Sequence, residues 1–318
     1  MSGTILTLHA FNALFPDEDA ARAWFERSRW PDGPVCYHCG AVNNATPIKS
    51  RGIWSCRACK KQFSVTAGTP MHRTHLALLT WAQAIYLIVS SSKGISSMKL
   101  SEMLGVSYGT AWHLSHRIRA MMAEDSSLLA GIVEIDETYG GAPPRKKAKS
   151  KRDDDVPPPS SPKGRGTKRP LLLVAAERHG DVVTRTIPTH GRMAISGALQ
   201  GVLDTSAVVM TDGLPAYRHL GKDRTHLSVN HSRREYARTD EETGHRVHVN
   251  RVESFNSLMS RAVTGVFHFI SSKHLGRYAA EAAFRWNRKK VSCLDRMATL
   301  IRNGDGRLLP YEFLTATT

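Results

Sequence analysis

Four cysteines constrain this chain more than any other feature. Cys36 and Cys39 form one CxxC pair and Cys56 and Cys59 a second, with sixteen residues between the pairs. Two matched CxxC knuckles can donate four thiolates to one tetrahedral zinc, and the residues between them then read as short strands of a zinc ribbon. A redox CxxC is the rival reading, but redox work does not need two matched pairs. His38 and His72 are surplus, since four sulfurs complete the site. Cys293 stands alone and reads as a small buried apolar residue. The N-terminus shows neither the basic start nor the apolar run of a signal peptide. The expected compartment is therefore the cytoplasm, close to the nucleoid. Thiols stay reduced there, and clustered cysteines indicate metal instead of disulfides.

Composition adds a partner. Lys and Arg number 44 against 28 Asp and Glu, a formal charge of +16. Such an excess favours a polyanion, with nucleic acid ahead of an anionic membrane surface. The longest apolar run, Leu76 to Val89, is too short to span a bilayer and fits a buried helix. Ahead of the cysteines, Pro16 and the acids Asp17, Glu18 and Asp19 open a short helix with Ala20, Ala21, Trp24 and Phe25 as its apolar stripe. Beyond the buried helix, Leu100, Met103 and Leu104 form a stripe that stops at Gly105. Ser107 suits the N-cap of a second helix with Ala111, Leu114 and Ile118 facing inward. Two helices about a Gly-Val-Ser turn read as a helix-turn-helix. Tyr108, Thr110, Trp112, His113, Arg117 and Arg119 are then candidates for the DNA-facing side of its recognition helix. An ordinary helical hairpin is the alternative, and the charge favours DNA.

From Gly131 the periodicity changes. Ile132 to Tyr139 reads as a buried strand, yet it carries Glu134, Asp136 and Glu137. A buried carboxylate without a partner is costly. The basic, Pro-rich insertion over 142–169 then reads as a mobile tether or a phosphate-contacting arm. A hairpin about His179-Gly180, an amphipathic helix from Met193, and a strand ending at Asp212-Gly213 follow. Three antiparallel strands, a crossover helix and a fourth strand open an RNase-H-like fold, in which the fourth strand lies parallel to the first. Asp136 and Asp212 then sit side by side, and divalent cations answer their repulsion: two Mg²⁺ ions, with Mn²⁺ as a substitute. A third ligand is sought in the helix that holds Val252, Phe255, Met259 and Ala262. Glu253 is preferred, because carboxylate oxygen suits a hard cation. Asn250 and His248 are its rivals. Glu134 shares the strand face of Asp136, Glu137 points the other way as a structural group, and Arg261 is a candidate phosphate contact.

These stretches together resemble bacterial insertion-sequence transposases of the DDE type, and more narrowly the ISXO2-like group. The resemblance rests on "FPDEDAARAWFERSRWPDGPVCYHCG", "WSCRACKKQFSVTAGTPMHRT", "VEIDETYGG", "GRGTKRPLLLVAAER", "VVMTDGLPAY" and "HVNRVESFNSLMSR", in that order. It implies Asp136 and Asp212 as the first two catalytic acids and a third residue in the segment of His248, Asn250 and Glu253. Where relatives often have Lys seven positions after the Glu, this chain has Ser260 followed by Arg261. The activity implied is recognition of the element's terminal repeats in double-stranded DNA, metal-dependent strand cleavage and strand transfer, by a homodimer or larger assembly on DNA and with no membrane partner. A domesticated, inactive DNA-binding regulator and a nuclease without strand transfer are the alternatives. The expected architecture is multidomain α+β. A helix and zinc ribbon occupy 1–73 and a helix-turn-helix region 74–128. An RNase-H-like mixed sheet flanked by helices occupies 129–292, and a C-terminal tail 293–318.

Overall fold

The computed structural model describes residues 5–123, 128–141 and 169–316. The insertion expected over 142–169 lies outside these residues except for Arg169. The chain divides into two compact units, Met1–Asp125 with Ala280–Thr318 and Ser126–Ala279. Among the described residues no helix is long and apolar enough to cross a membrane.

In the first unit, α1 (Leu8–Leu14) precedes α2 (Glu18–Arg29). Asp17 caps α2 by accepting from the Ala20 N–H at 2.8 Å, and the helix buries Ala21, Trp24 and Phe25. The ribbon is an antiparallel sheet of β1 (Ala45–Ile48), β2 (Ile53–Cys56) and β3 (Gln62–Phe63). The apolar run becomes α3 (Leu78–Ser90), whose Ala77 cap position offers no side-chain acceptor. The Glu18 carboxylate fills that role, accepting from the N–H groups of Leu78 and Leu79 at 2.9 Å each. Then come α4 (Ser97–Leu104) and α5 (Tyr108–Met122). Gly105 ends α4 at φ +65°, where a side chain would be strained. Ser107 caps α5 through the Thr110 N–H. The turn expected between the two helices is therefore present. Met103 departs from its expected stripe and is 51% exposed.

One hydrophobic core runs from Phe25 through the ribbon's Cys36 and Cys56 to Trp81, Ile118 and Met297. The boundary expected at 73 does not divide that core. The segment expected as a tail is packed over its described residues 293–316: α9 (Cys293–Asn303) buries Met297, Leu300 and Ile301, and α10 (Tyr311–Thr315) buries Leu314. A ribbon this small has too little apolar surface to fold alone, so helices on both sides of it in sequence close over it.

In the second unit a five-stranded sheet is built from β4 (Ile132–Tyr139), β5 (Leu171–Glu177), β6 (Val182–Ile187), β7 (Val208–Asp212) and β8 (His226–Val229), in the order β6-β5-β4-β7-β8. β4, β5 and β6 are antiparallel, whereas β7 runs parallel to β4 and β8 parallel to β7. Helix α6 (Arg192–Leu199) makes the crossover. This is the RNase-H-like order expected from the sequence, with β8 as an addition. A ribbon of β9 (Arg238–Thr239) and β10 (Arg246–Val247) then leads into α7 (Asn250–Ala262). Strands alternate faces. Val133, Ile135, Leu173 and Ala175 pack with Ile195 and Leu199 of α6. The opposite face, with Glu134 and Asp136, receives α7. Helix α8 (Leu275–Asn287) contains the boundary between the two units.

Candidate active site

The parallel pairing of β4 with β7 sets Ile135 opposite Thr211. Asp136 and Asp212 are each one residue further on, so both project from the same face of neighbouring strands. Asp212 ends its strand in a turn, with Oδ1 accepting from the Leu214 N–H at 3.1 Å. Burial first, then the Asp212 charge and more weakly that of Glu253, push the Asp136 carboxyl up to about 6. The three acids are therefore neighbours, but not equally close. Among the described residues, no three carboxylates offer ligand atoms all within 4.8 Å of one another. Glu253 is exposed and leans toward His231, whose Nδ1 lies 3.9 Å from Glu253 Oε1. Asn250 is exposed at the first position of α7.

The residue that touches Asp136 is one the sequence reading passed over. Asn256 Nδ2 donates to Asp136 Oδ2 at 3.0 Å. Its spacing from Glu253, one helical turn, was the available signal. Hard carboxylate oxygens at the end of adjacent strands fit a divalent cation, which would offset both the burial and the neighbouring charge that raise Asp136.

The Glu134 carboxylate has a different answer. It is fully buried and accepts from Arg178 Nε at 3.0 Å. Its other oxygen accepts from the backbone N–H groups of Arg251 at 2.6 Å and Val252 at 3.3 Å. These are orphan donors of the first turn of α7, where negative charge is favoured. Glu134 thus docks onto the sheet the helix that carries Glu253 and Asn256. Arg178 donates further to the carbonyls of Arg246 and His248. His248, a rival for the third ligand, lies in this cluster, 3.2 Å from Glu134, and burial and then the Arg178 charge hold its pKa below the ordinary value. Glu137 points to the opposite face, as its parity requires, with His190 Nδ1 at 4.0 Å. Burial pushes its carboxyl up to about 7, against the Tyr217 hydroxyl, which lowers it. Arg261 is exposed in the last turn of α7.

In the first unit the four cysteine sulfurs lie within 4.8 Å of one another. Cys36 to Cys59 and Cys39 to Cys56 are each 3.7 Å. A tetrahedron with Zn–S bonds of about 2.3 Å has sulfurs about 3.8 Å apart, so the set fits one zinc. Each knuckle turns through a left-handed residue, Gly40 at φ +74° and Lys60 at φ +62°. The backbone N–H of Cys59, and then that of Ala58, hold the Cys56 thiol down to about 7. At Cys39 the lowering by the Ala41 N–H is outweighed by burial and the three neighbouring sulfurs, which push the thiol up to about 12, so without metal the four sulfurs hold their protons unevenly.

A family model described as the ISXO2-like transposase domain matches residues 128–287, half of the chain, and the transposase zinc-ribbon domain matches residues 16–62. The chain belongs to the ISXO2-like transposase family. Among solved structures, the "Crystal structure of a pre-cleavage Mos1 transpososome" is 14% identical to this transposase, covering 70% of this chain and 78% of that one at a TM-score of 0.26. No curated protein gives a significant match.

The helix-turn-helix of the transposase corrects part of the list of DNA-facing residues. Arg119 is 1% exposed; its Nε donates to Glu281 Oε2 at 2.6 Å and its Nη1 to Ser115 Oγ at 2.9 Å. Arg285 pairs with the same fully buried Glu281. Arg119 is therefore a core residue. Arg117 lies over the Trp81 ring at 5.3 Å and donates to the His72 carbonyl. His113 and Trp112 face Tyr311, with ring centroids 5.2 and 6.4 Å apart. The physical reason is crowding: α5 packs against α3, α4 and α9 and buries more than one stripe. Tyr108, 57% exposed, and Thr110, part-exposed, remain at its open N-terminal turn.

Proposed function

We propose that this transposase binds the ends of its own element and carries out divalent-metal-dependent DNA cleavage and strand transfer. The observation that carries this reading is the pairing of Asp136 and Asp212 on adjacent parallel strands, with the Asp136 pKa raised by burial first and then by the Asp212 charge. Asp136, Asp212 and Glu253 would hold the cations, with Asn250 the alternative to Glu253. Two Mg²⁺ ions, when bound, supply an activated hydroxyl nucleophile at neutral pH and stabilise charge on the leaving 3′-oxygen.

The chain's own groups then orient and hold. Asp136 and Asp212 bind from the rigid sheet, and α7, fixed by Glu134 and Arg178, brings Glu253 to the rim. Exposed cations such as Arg261 hold DNA phosphates, and they fix register without reading sequence. The open first turn of α5, with Tyr108 and Thr110, is the part of the helix-turn-helix placed to enter the major groove. The ribbon holds one structural zinc through Cys36, Cys39, Cys56 and Cys59. Joining two ends to one target requires at least two chains on DNA.

The test is incubation of a labelled DNA fragment carrying the element's ends with Mg²⁺ and a target plasmid. Joining of label to plasmid supports the proposal. Cleavage without joining indicates a nuclease, and binding without metal-dependent cleavage a regulator; either result overturns it.

A further inference from the structure

Helix α7 directs one polar side chain, Asn256, onto the Asp136 carboxylate. Asn256 follows Glu253 by three residues, so the two share a helix face. Asn256 Nδ2 donates to Asp136 Oδ2 at 3.0 Å, and its Oδ1 is buried without a hydrogen-bond partner. A buried amide oxygen left unpaired is unfavourable, and Asn is a weak helix former. An apolar side chain of equal size at this position would carry neither cost. The neighbours Val252, Phe255 and Met259 are apolar and buried, so the polarity of Asn256 is a local exception on the packed side of the helix. The helix is anchored at its first turn by Glu134, which fixes where the amide sits.

We propose that Asn256 is a positioning residue of the cation site. Its N–H holds one carboxylate oxygen of Asp136 and leaves the other for the cation shared with Asp212. Its buried Oδ1 is the acceptor for a hydrogen bond from a water at that cation. This rests on the reading that Asp136 and Asp212 hold the cation. Groups that orient metal ligands in this way typically change metal affinity by about 10–100-fold when removed.

The test is Mn²⁺ binding to full-length, DNA-free, zinc-loaded protein, followed by the electron paramagnetic resonance signal of free Mn²⁺. Wild type, Asn256→Leu, Asn256→Ala and Asp136→Asn are compared, with thermal unfolding of each in the absence of Mn²⁺. The expected result is that both Asn256 variants remain cooperatively folded, bind Mn²⁺ about 10–100-fold more weakly, and regain DNA cleavage as Mn²⁺ is raised. A purely structural asparagine would lower the midpoint, leave Mn²⁺ affinity at the wild-type value and show no rescue of cleavage by added metal. Wild-type Mn²⁺ affinity in the folded Asn256 variants, beside a non-binding Asp136→Asn, overturns this proposal alone. Unchanged binding in Asp136→Asn overturns both this proposal and the cation site beneath it.

Discussion

Asp136 and Glu134 point the same way from one strand, two residues apart, and meet opposite fates. Asp136 is raised to about 6 by burial and by Asp212, so in metal-free protein its ionised form works against folding at neutral pH. Its folded pKa lies above the unfolded value, so this penalty is full above the folded pKa and gone below the unfolded one. Asp136→Asn is expected to stabilise the metal-free protein at pH 7 by roughly 1–3 kcal/mol, with the gain vanishing near pH 4. Paired thermal melts at the two pH values measure this, and a wild type more stable at pH 7 would contradict it. Glu134 behaves in reverse, because Arg178 and the first turn of α7 depend on it. Glu134→Ala leaves a guanidinium and two backbone donors unpaired and is expected to cost about 3–5 kcal/mol. A urea midpoint equal to wild type would refute that role. Strand alternation in the sequence shows that the two acids share a face. It does not show which partner each meets, because Arg178 sits in a hairpin turn 44 residues away in sequence and looks like any other arginine there. Asn256 was hidden for a similar reason: its polarity reads as surface until the helix is docked.

At the scale of elements, the strands were legible because their signals are local. Ile132–Tyr139 and the hairpin about His179-Gly180 appear as read, and the parallel placement of β7 follows from the crossover rule. Helix α5 was legible as a helix but not in its exposure. The apolar stripe of Ala111, Leu114 and Ile118 is real, yet Arg119 on another face is also enclosed, through a buried acid 162 positions later. Such a pairing leaves no periodic trace. The two ends of α5 should therefore respond differently to substitution. Tyr108→Ala is expected to weaken DNA binding while leaving the unfolding free energy within about 0.5 kcal/mol of wild type. Arg119→Ala, which strips a partner from the buried Glu281, is expected to cost about 3–5 kcal/mol. Filter binding and urea titration of both variants separate the roles; a destabilised Tyr108→Ala or an unaffected Arg119→Ala would reverse them.

The whole molecule joins a helical unit that carries the four-cysteine ribbon to an RNase-H-like unit in a chain of formal charge +16. The ribbon shares its core with α3, α5 and α9, so loss of metal should be felt beyond the knuckles. Cys36→Ser is expected to lose the single equivalent of zinc and to lower the melting temperature of the first unit. Retained zinc, read by atomic absorption, would reject the four-thiolate site. The central claim concerns the other unit: carboxylates from two adjacent parallel strands share a divalent cation. Anomalous diffraction from crystals grown with Mn²⁺ tests it most directly. A manganese peak bonded to both Asp136 and Asp212 is the predicted result. Fully bound manganese elsewhere, with these two side chains free of metal, would contradict the account.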